Sequence, residues 1–386
     1  MNCKKLIGIV SYNCHSDHMN YGAVLHSYAF QQYLLKNNVH SVILDYLPAN
    51  IEGINFKYPI LNFKRYWRVR SFIGHFISWG VLGLLPNLRK YNKFQKFFSK
   101  YYTKTKHTYR QDELLKMQSL EDLQISEWVV ESDVVWKLYS HGDFDKIFFL
   151  QAPFMKKTKK VAYSPTISSR PFDEDEKKTF LDYINDFLEI SCRDKEGAEY
   201  LSSIVGRKVE WVLDPTLLLE SKDYKRIEKA PVYRPKHYLL VYNCMSNDVQ
   251  MLEQAQKLAD KLNLKMIEIS NYNFNKLKYR HKILTDIGVE EFLWYFSHAD
   301  FVICNAFHGC CFSVIFKKDF FLFQRDGSDY RMKSITHGLG LDNRFVSYAD
   351  KKIPDVFNPI DYTSVYDKLS ALRNVSFNFI DRNIIS

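Results

Sequence analysis

Short apolar runs that end in polar, glycine-bearing turns alternate with helical stretches through most of this chain. That alternation restricts it to parallel sheets covered by helices. Strand-like runs at 6–12, 40–45, 127–131, 145–150, 160–164, 188–192 and 209–213 are interleaved with helical stretches at 23–36, 173–186 and 195–205. A charged segment, 221–236, carries Pro231 and Pro235, interrupts the series and reads as an inter-domain linker. The series then resumes, with strands at 237–243, 264–269, 300–304 and 319–323 and helices at 247–262, 289–297, 310–317 and 330–338. At 386 residues the chain is long for one core. The expected class is therefore α/β, with two Rossmann-like domains facing across a cleft. An N-terminal domain is expected over 1–222, with a basic, aromatic helical insert at about 50–125, and a C-terminal domain over 236–386.

Ligands of open parallel sheets bind outside the carboxyl ends of the strands, so the turns there are the places to look for chemistry. The run Ala299 to Cys304 leads into Asn305-Ala306-Phe307-His308-Gly309 and an apolar helix. This places an imidazole, which changes charge near neutral pH, where backbone N–H groups and a helix dipole converge. His308 is the expected general acid or base, and a plain helix-capping role is its alternative. Backbone N–H groups from Gly309 to Cys311, Gly309 and Cys310 foremost, are expected to help hold a phosphate. Arg193 follows another strand-like run, where a guanidinium suits carboxylate and phosphate alike, unless it pairs with Asp194 or Glu196. Asp133 lies just past the 127–131 strand, with Trp136 one helical turn on, and is expected to serve either catalysis or as a helix N-cap. The first loop holds His15, Asp17, His18, Asn20 and Gly22. Asp17, His18, Asn20 and Gly22 are the expected acceptor-side contacts. The His15-Asp17-His18 spacing fits no established metal pattern, and no metal or cofactor is expected.

Several of these elements occur together in the order Asn20-Tyr21-Gly22-Ala23 with Leu25, Ser132-Asp133 with Trp136, Ser191-Cys192-Arg193-Asp194 with Gly197, Asp214-Pro215-Thr216-Leu217, and Phe307-His308-Gly309. In that order they resemble the polysaccharide pyruvyl transferase family, over roughly residues 5–345. The resemblance implies a GT-B-like arrangement in a bacterial envelope pathway. It also implies transfer of pyruvate from phosphoenolpyruvate, as co-substrate, to two hydroxyls of a sugar. The product would be a cyclic ketal on a capsule or exopolysaccharide, or on its lipid-linked precursor, with release of phosphate. It puts an anion-binding arginine at Arg193 and a proton carrier at His308. Two positions depart from the family's pattern. Glu131 stands where the family carries glycine, and Ala306 stands where some relatives carry arginine; Lys317, Lys318, Arg325 and Arg331 are the nearby cations, and Arg325 and Arg331 the expected donor contacts. A nucleotide-sugar glycosyltransferase of the same fold is the alternative reading, and a sugar-binding scaffold that has lost the chemistry is a third. The acceptor sugar, its hydroxyl pair and the ketal stereochemistry are not encoded in any motif.

The formal charge of +10 suits an anionic partner, and with no RNP, helix-turn-helix or zinc-finger signature nucleic acid is not expected to be that partner. The stretch 56–105 is rich in aromatics and bases and includes the apolar run Ser71 to Leu85. It reads either as an insert packed on the N-terminal domain or as an interfacial helix touching a membrane. Seven cysteines at 3, 14, 192, 244, 304, 310 and 311 form no CxxC pair and read as reduced, core-filling thiols. Lys4-Lys5 leads straight into a strand without a secretory leader, so the expected location is the cytoplasm, at the inner face of the membrane if the insert makes contact.

Overall fold

The computed structural model describes residues 5–12, 19–65, 69–138, 142–167, 171–244, 247–325 and 329–386. It divides into two compact units. The first comprises Met1–Glu52, Tyr101–Leu219 and Asp367–Ser386, and the second Gly53–Lys100 and Glu220–Tyr366.

The first unit is built on a six-stranded sheet in the order β2-β1-β5-β6-β7-β8. Its strands are β1 (Leu6–Val10), β2 (His40–Ile43), β5 (Glu127–Glu131), β6 (Lys159–Tyr163), β7 (Glu189–Cys192) and β8 (Glu210–Trp211), and all the pairings are parallel. A small ladder, β3 (Tyr46–Leu47) with β4 (Tyr109–Arg110), sits apart from it. The strands are buried almost throughout, as parallel sheets with both faces covered require. The Tyr21–Lys36 helix covers part of the sheet, and its Phe30 stacks on Tyr163 at 5.1 Å.

The second unit repeats the plan in the order β11-β10-β9-β12-β13-β14, again parallel throughout. Its strands are β9 (Tyr238–Asn243), β10 (Lys265–Ser270), β11 (Lys282–Leu284), β12 (Phe301–Cys304), β13 (Asp319–Phe323) and β14 (Phe345–Val346). Leu239, Val241, Ile303, Phe321 and Phe323 take alternate positions along their strands. They pack against Met251, Leu252, Ala255, Leu258 and Ala259, which repeat at helical spacing along Val249–Lys261.

Four expectations need correction. The run 145–150 forms a 3-10 helix, Lys146–Phe149: Asp145 Oδ1 caps the Ile147 N–H at 3.0 Å and Leu150 closes it at φ 54°, so an all-buried apolar run mimicked a strand. The segment 221–236 is no free linker. It opens with the Ser221–Lys225 helix, whose buried Tyr224 packs on Phe312 at 5.2 Å. The helical segment 53–100 groups with the second unit rather than with the N-terminal domain. Finally, 367–386 belongs to the first unit and not to the C-terminal domain. There Ser376 Oγ accepts the Leu213 N–H at 2.8 Å, Arg373 donates to the Leu217 and Leu219 carbonyls, and Phe377 stacks on Tyr33 at 5.1 Å.

Candidate active site

In both sheets the strand order reverses beside the first strand of the unit, between β1 and β5 and between β9 and β12. Outside the carboxyl ends of such a pair the departing loops part and leave a crevice. The candidate residues gather at these two crevices, and each is described within its own unit.

In the first unit, Ser132 and Asp133 leave β5 in the left-handed region, at φ 48° and 62°. Residues 132–138 form bends and bridges and no helix, so Asp133 is not an N-cap. Its Oδ1 accepts the Val134 N–H at 2.8 Å, and the carboxylate keeps partial exposure to solvent. Trp136 is core: it stacks on Phe149 at 5.7 Å and donates to the Phe148 carbonyl. The Arg193 guanidinium is fully buried. It donates to Asp214 Oδ2 at 2.8 Å and, more loosely, to Ser132 Oγ and Asp133 Oδ1 at 3.4 Å. Burial opposes its charge, but Asp214 and Asp133 more than compensate. This corrects its expected role as a donor contact: the arginine positions the Ser132-Asp133 turn, and its carboxylate partners are Asp214 and Asp133 in place of Asp194 or Glu196. Asp214 is the other half of that brace, its Oδ1 accepting from the Thr216 N–H and hydroxyl at 3.0 and 2.7 Å.

Glu131, the last residue of β5, is wholly buried. It accepts from His26 Nδ1 at 2.8 Å and from Ser27 Oγ at 3.2 Å, both on the Tyr21–Lys36 helix. Burial alone would depress the His26 pKa; the Glu131 carboxylate, helped by Asp214 and Asp133, reverses this and raises it. Asn20 and Gly22 turn out to be structural. The Asn20 side chain caps this helix through the Gly22 and Ala23 N–H groups at 3.1 and 3.3 Å, and Gly22 is buried in the first turn. Asp17 and His18, like His15, lie outside the described residues.

In the second unit, His308 is half-buried in the first turn of the Phe307–Ile315 helix, which begins at Ala306 without a side-chain cap. Gly309 is required by close packing: a Cβ there would lie 2.7 Å from Cys304 Cβ and 2.8 Å from its sulfur. Cys310 is not brought to the crevice. Its N–H bonds the Ala306 carbonyl at 3.3 Å, and its thiol is buried and pushed up in pKa by desolvation. Asn305, also buried, ties the two crevice loops together, accepting the Cys244 N–H at 2.8 Å and donating to Asn243 Oδ1 at 3.3 Å. Beneath them Glu268 of β10 accepts from Asn243, Asn275 and His281, each at 2.9 Å.

Cations flank this crevice. Arg325, two residues past β13, is half-buried, and its Nε is buried without a hydrogen-bond partner among the described residues. It lies near Tyr272: burial raises the Tyr272 pKa, Cys244 adds to the rise and Arg325 opposes it. Lys90, from the helix Leu84–Tyr101, is buried, donates to Asn271 Oδ1 at 2.8 Å and also lies beside Cys244. Desolvation lowers its pKa to about 8. Arg331 is half-buried in the Asp329–Gly338 helix. Lys90, His26 and the Glu268 network escape a motif reading. The asparagines that crowd the exits of β9 and β10, at 243, 247, 271, 273 and 275, were the one signal that could have pointed to the network.

The model of the polysaccharide pyruvyl transferase family matches residues 20–327, a span that includes both crevices. The chain belongs to that family. No individually characterised protein matches it significantly in sequence. Among solved structures, the UDP-GlcNAc 2-epimerase of Neisseria meningitidis, bound to UDP-GlcNAc, is similar with a TM-score of 0.51 and 10% identity, over 99% of this chain and 94% of that one. The UDP-GlcNAc 2-epimerase of Methanocaldococcus jannaschii follows with a TM-score of 0.48 and 12% identity, over 96% and 93%. The first of these likenesses establishes a GT-B-like fold for this pyruvyl transferase family member. Among the described residues no group of three or more His, Cys, Asp or Glu side chains could hold a metal ion, and no helix is long and apolar enough to cross a membrane.

Proposed function

We propose that this family member moves the three-carbon skeleton of phosphoenolpyruvate onto two hydroxyls of one sugar, in a cell-surface polysaccharide or its lipid-linked precursor. The observation that carries the reading is the position of His308, at an uncapped helix start in a switch-point crevice, within a chain of this family. His308 gives its proton to the methylene carbon, and the adjoining carbon becomes electrophilic. One sugar hydroxyl adds there as a general base takes its proton. Phosphate then leaves with the electron pair of its C–O bond, and the second hydroxyl closes the ketal. One hydroxyl proton thereby replaces the proton given to the methyl group, and the other leaves with phosphate. The Nε of Arg325, without a hydrogen-bond partner among the described residues, is the donor for the carboxylate or phosphate that Ala306 cannot hold. No cofactor is needed for these steps.

The test is phosphate release from phosphoenolpyruvate with galactose- and mannose-type acceptors, free and lipid-linked, followed by mass analysis of the sugar. Acceptor-dependent release with a pyruvate ketal is expected, and His308→Ala should lose about 10²-fold or more in turnover with its fold intact. Near-normal turnover of that variant would remove His308 from the mechanism. Tight nucleotide-sugar binding with indifference to phosphoenolpyruvate would transfer the assignment to a glycosyltransferase.

A further inference from the structure

Residues 53–100 hold ten bases and no acid, while the rest of the chain carries 44 of each sign, so one helical segment bears the whole net charge of +10. The segment is tied together internally and seated on the rest of the second unit. His75 Nε2 donates to the Pro59 carbonyl at 3.0 Å, and Asn87 donates to the Phe56 and Lys57 carbonyls at 2.9 Å. Gly83 abuts the loop that leaves β10, where a Cβ would lie 2.4 Å from Asn273 Nδ2. Lys93 donates to the Asp286 carbonyl at 2.9 Å and to Glu291 at 2.7 Å, and Arg89 and Lys100 reach Asp286 and Glu290.

Three bases are thus partly neutralised, and the segment also exposes large apolar side chains. Leu61, Ile73, Phe76, Val81 and Leu85 are each more than half exposed. Scattered exposed hydrophobes are ordinary, but five within one short, acid-free segment are not. Large apolar side chains flanked by Lys and Arg, on helices too short or too polar to span, characterise segments that lie in a lipid interface. We infer that this segment docks the second unit onto an anionic bilayer. The five apolar side chains enter the boundary between headgroups and acyl chains, and the bases are drawn by the negative surface. A nucleic acid would satisfy the charge and leave the apolar face unexplained. Because the segment packs on the loop at the carboxyl end of β10, docking holds the His308-bearing edge of that sheet towards the lipid. The docking does not depend on the reaction proposed above.

Flotation of the full chain with phosphatidylglycerol/phosphatidylcholine vesicles, and with phosphatidylcholine alone, tests it. Binding should be about tenfold or more tighter to the anionic vesicles, and should weaken as salt is raised. The variant Ile73→Ser, Phe76→Ser, Val81→Ser, Leu85→Ser should bind about tenfold or more weakly while keeping its circular dichroism, its unfolding midpoint and its turnover of a water-soluble acceptor. Lys57→Gln with Lys96→Gln, both exposed, should weaken binding and flatten the salt dependence. Absence of vesicle binding, binding undiminished in the apolar variant, or equal capture of both variants by single-stranded RNA with no vesicle preference would each overturn the inference.

Discussion

Glu131 puts a carboxylate where water cannot reach, and His26 makes that tolerable. Breaking a buried pair from one side strands the other charge, so Glu131→Ala should cost about 3 kcal/mol or more in chemical denaturation. The double change His26→Leu with Glu131→Gly should recover part of that loss; additive penalties would show that the pair is not coupled. The His26 pKa is raised in the folded chain, so the pair's contribution is full below the ordinary histidine pKa and fades as pH rises through the folded value. The gap between wild type and Glu131→Ala should therefore narrow at alkaline pH. Lys90 behaves in the opposite way. Its lowered pKa of about 8 means that its charge costs about 3 kcal/mol at neutral pH. Lys90→Met should therefore be more stable than wild type at pH 7, and the advantage should vanish as pH climbs from about 8 towards 10.5, because only the unfolded wild-type chain still holds the proton there. A less stable Lys90→Met at pH 7 would refute this.

The second crevice owes its shape to one turn and one helix. Asn305 binds the two loops together, and Gly309 lets the Phe307–Ile315 helix start against Cys304. Gly309→Ala should cost about 2 kcal/mol through overpacking, and should lower turnover more than that loss alone explains, by moving His308. Unchanged turnover with lowered stability would separate packing from catalysis. The strands and helices beside the crevices were legible because strand runs, turns and helical spacing agreed there. The place of His308, in the first turn of the helix after β12, was legible for the same reason. The run 145–150 was misread because Ile147, Phe148, Phe149 and Leu150 are all buried in succession, so period carries no information. Arg193 was recognisable as important but not as a brace, since a motif names a residue and not the carboxylates that fold back on it.

The division into units was the least legible feature. Nothing in the composition of 367–386 says that it returns to the first sheet; only Ser376, Arg373 and Phe377, seated against Leu213, Leu217 and Tyr33, reveal it. Likewise the insert's destination was decided by Gly83, Lys90 and Lys93, residues unremarkable in sequence. A chain ending at Tyr366 should lose hydrogen-exchange protection in the Tyr21–Lys36 helix, in β6 and at Leu213, because Tyr33, Tyr163 and the Leu213 amide lose their cover. Undiminished protection would make the tail an appendage. The same return of the tail sets the order of events at the ribosome. The first unit's residues up to Leu219 emerge early, yet the piece that closes their core, 367–386, is made only after the second unit, roughly 10–30 s later at ordinary synthesis rates. Through that interval the earliest-made half waits unfinished while the second unit, complete at Tyr366, is free to fold first, so a chaperone client in this protein would be its N-terminal half.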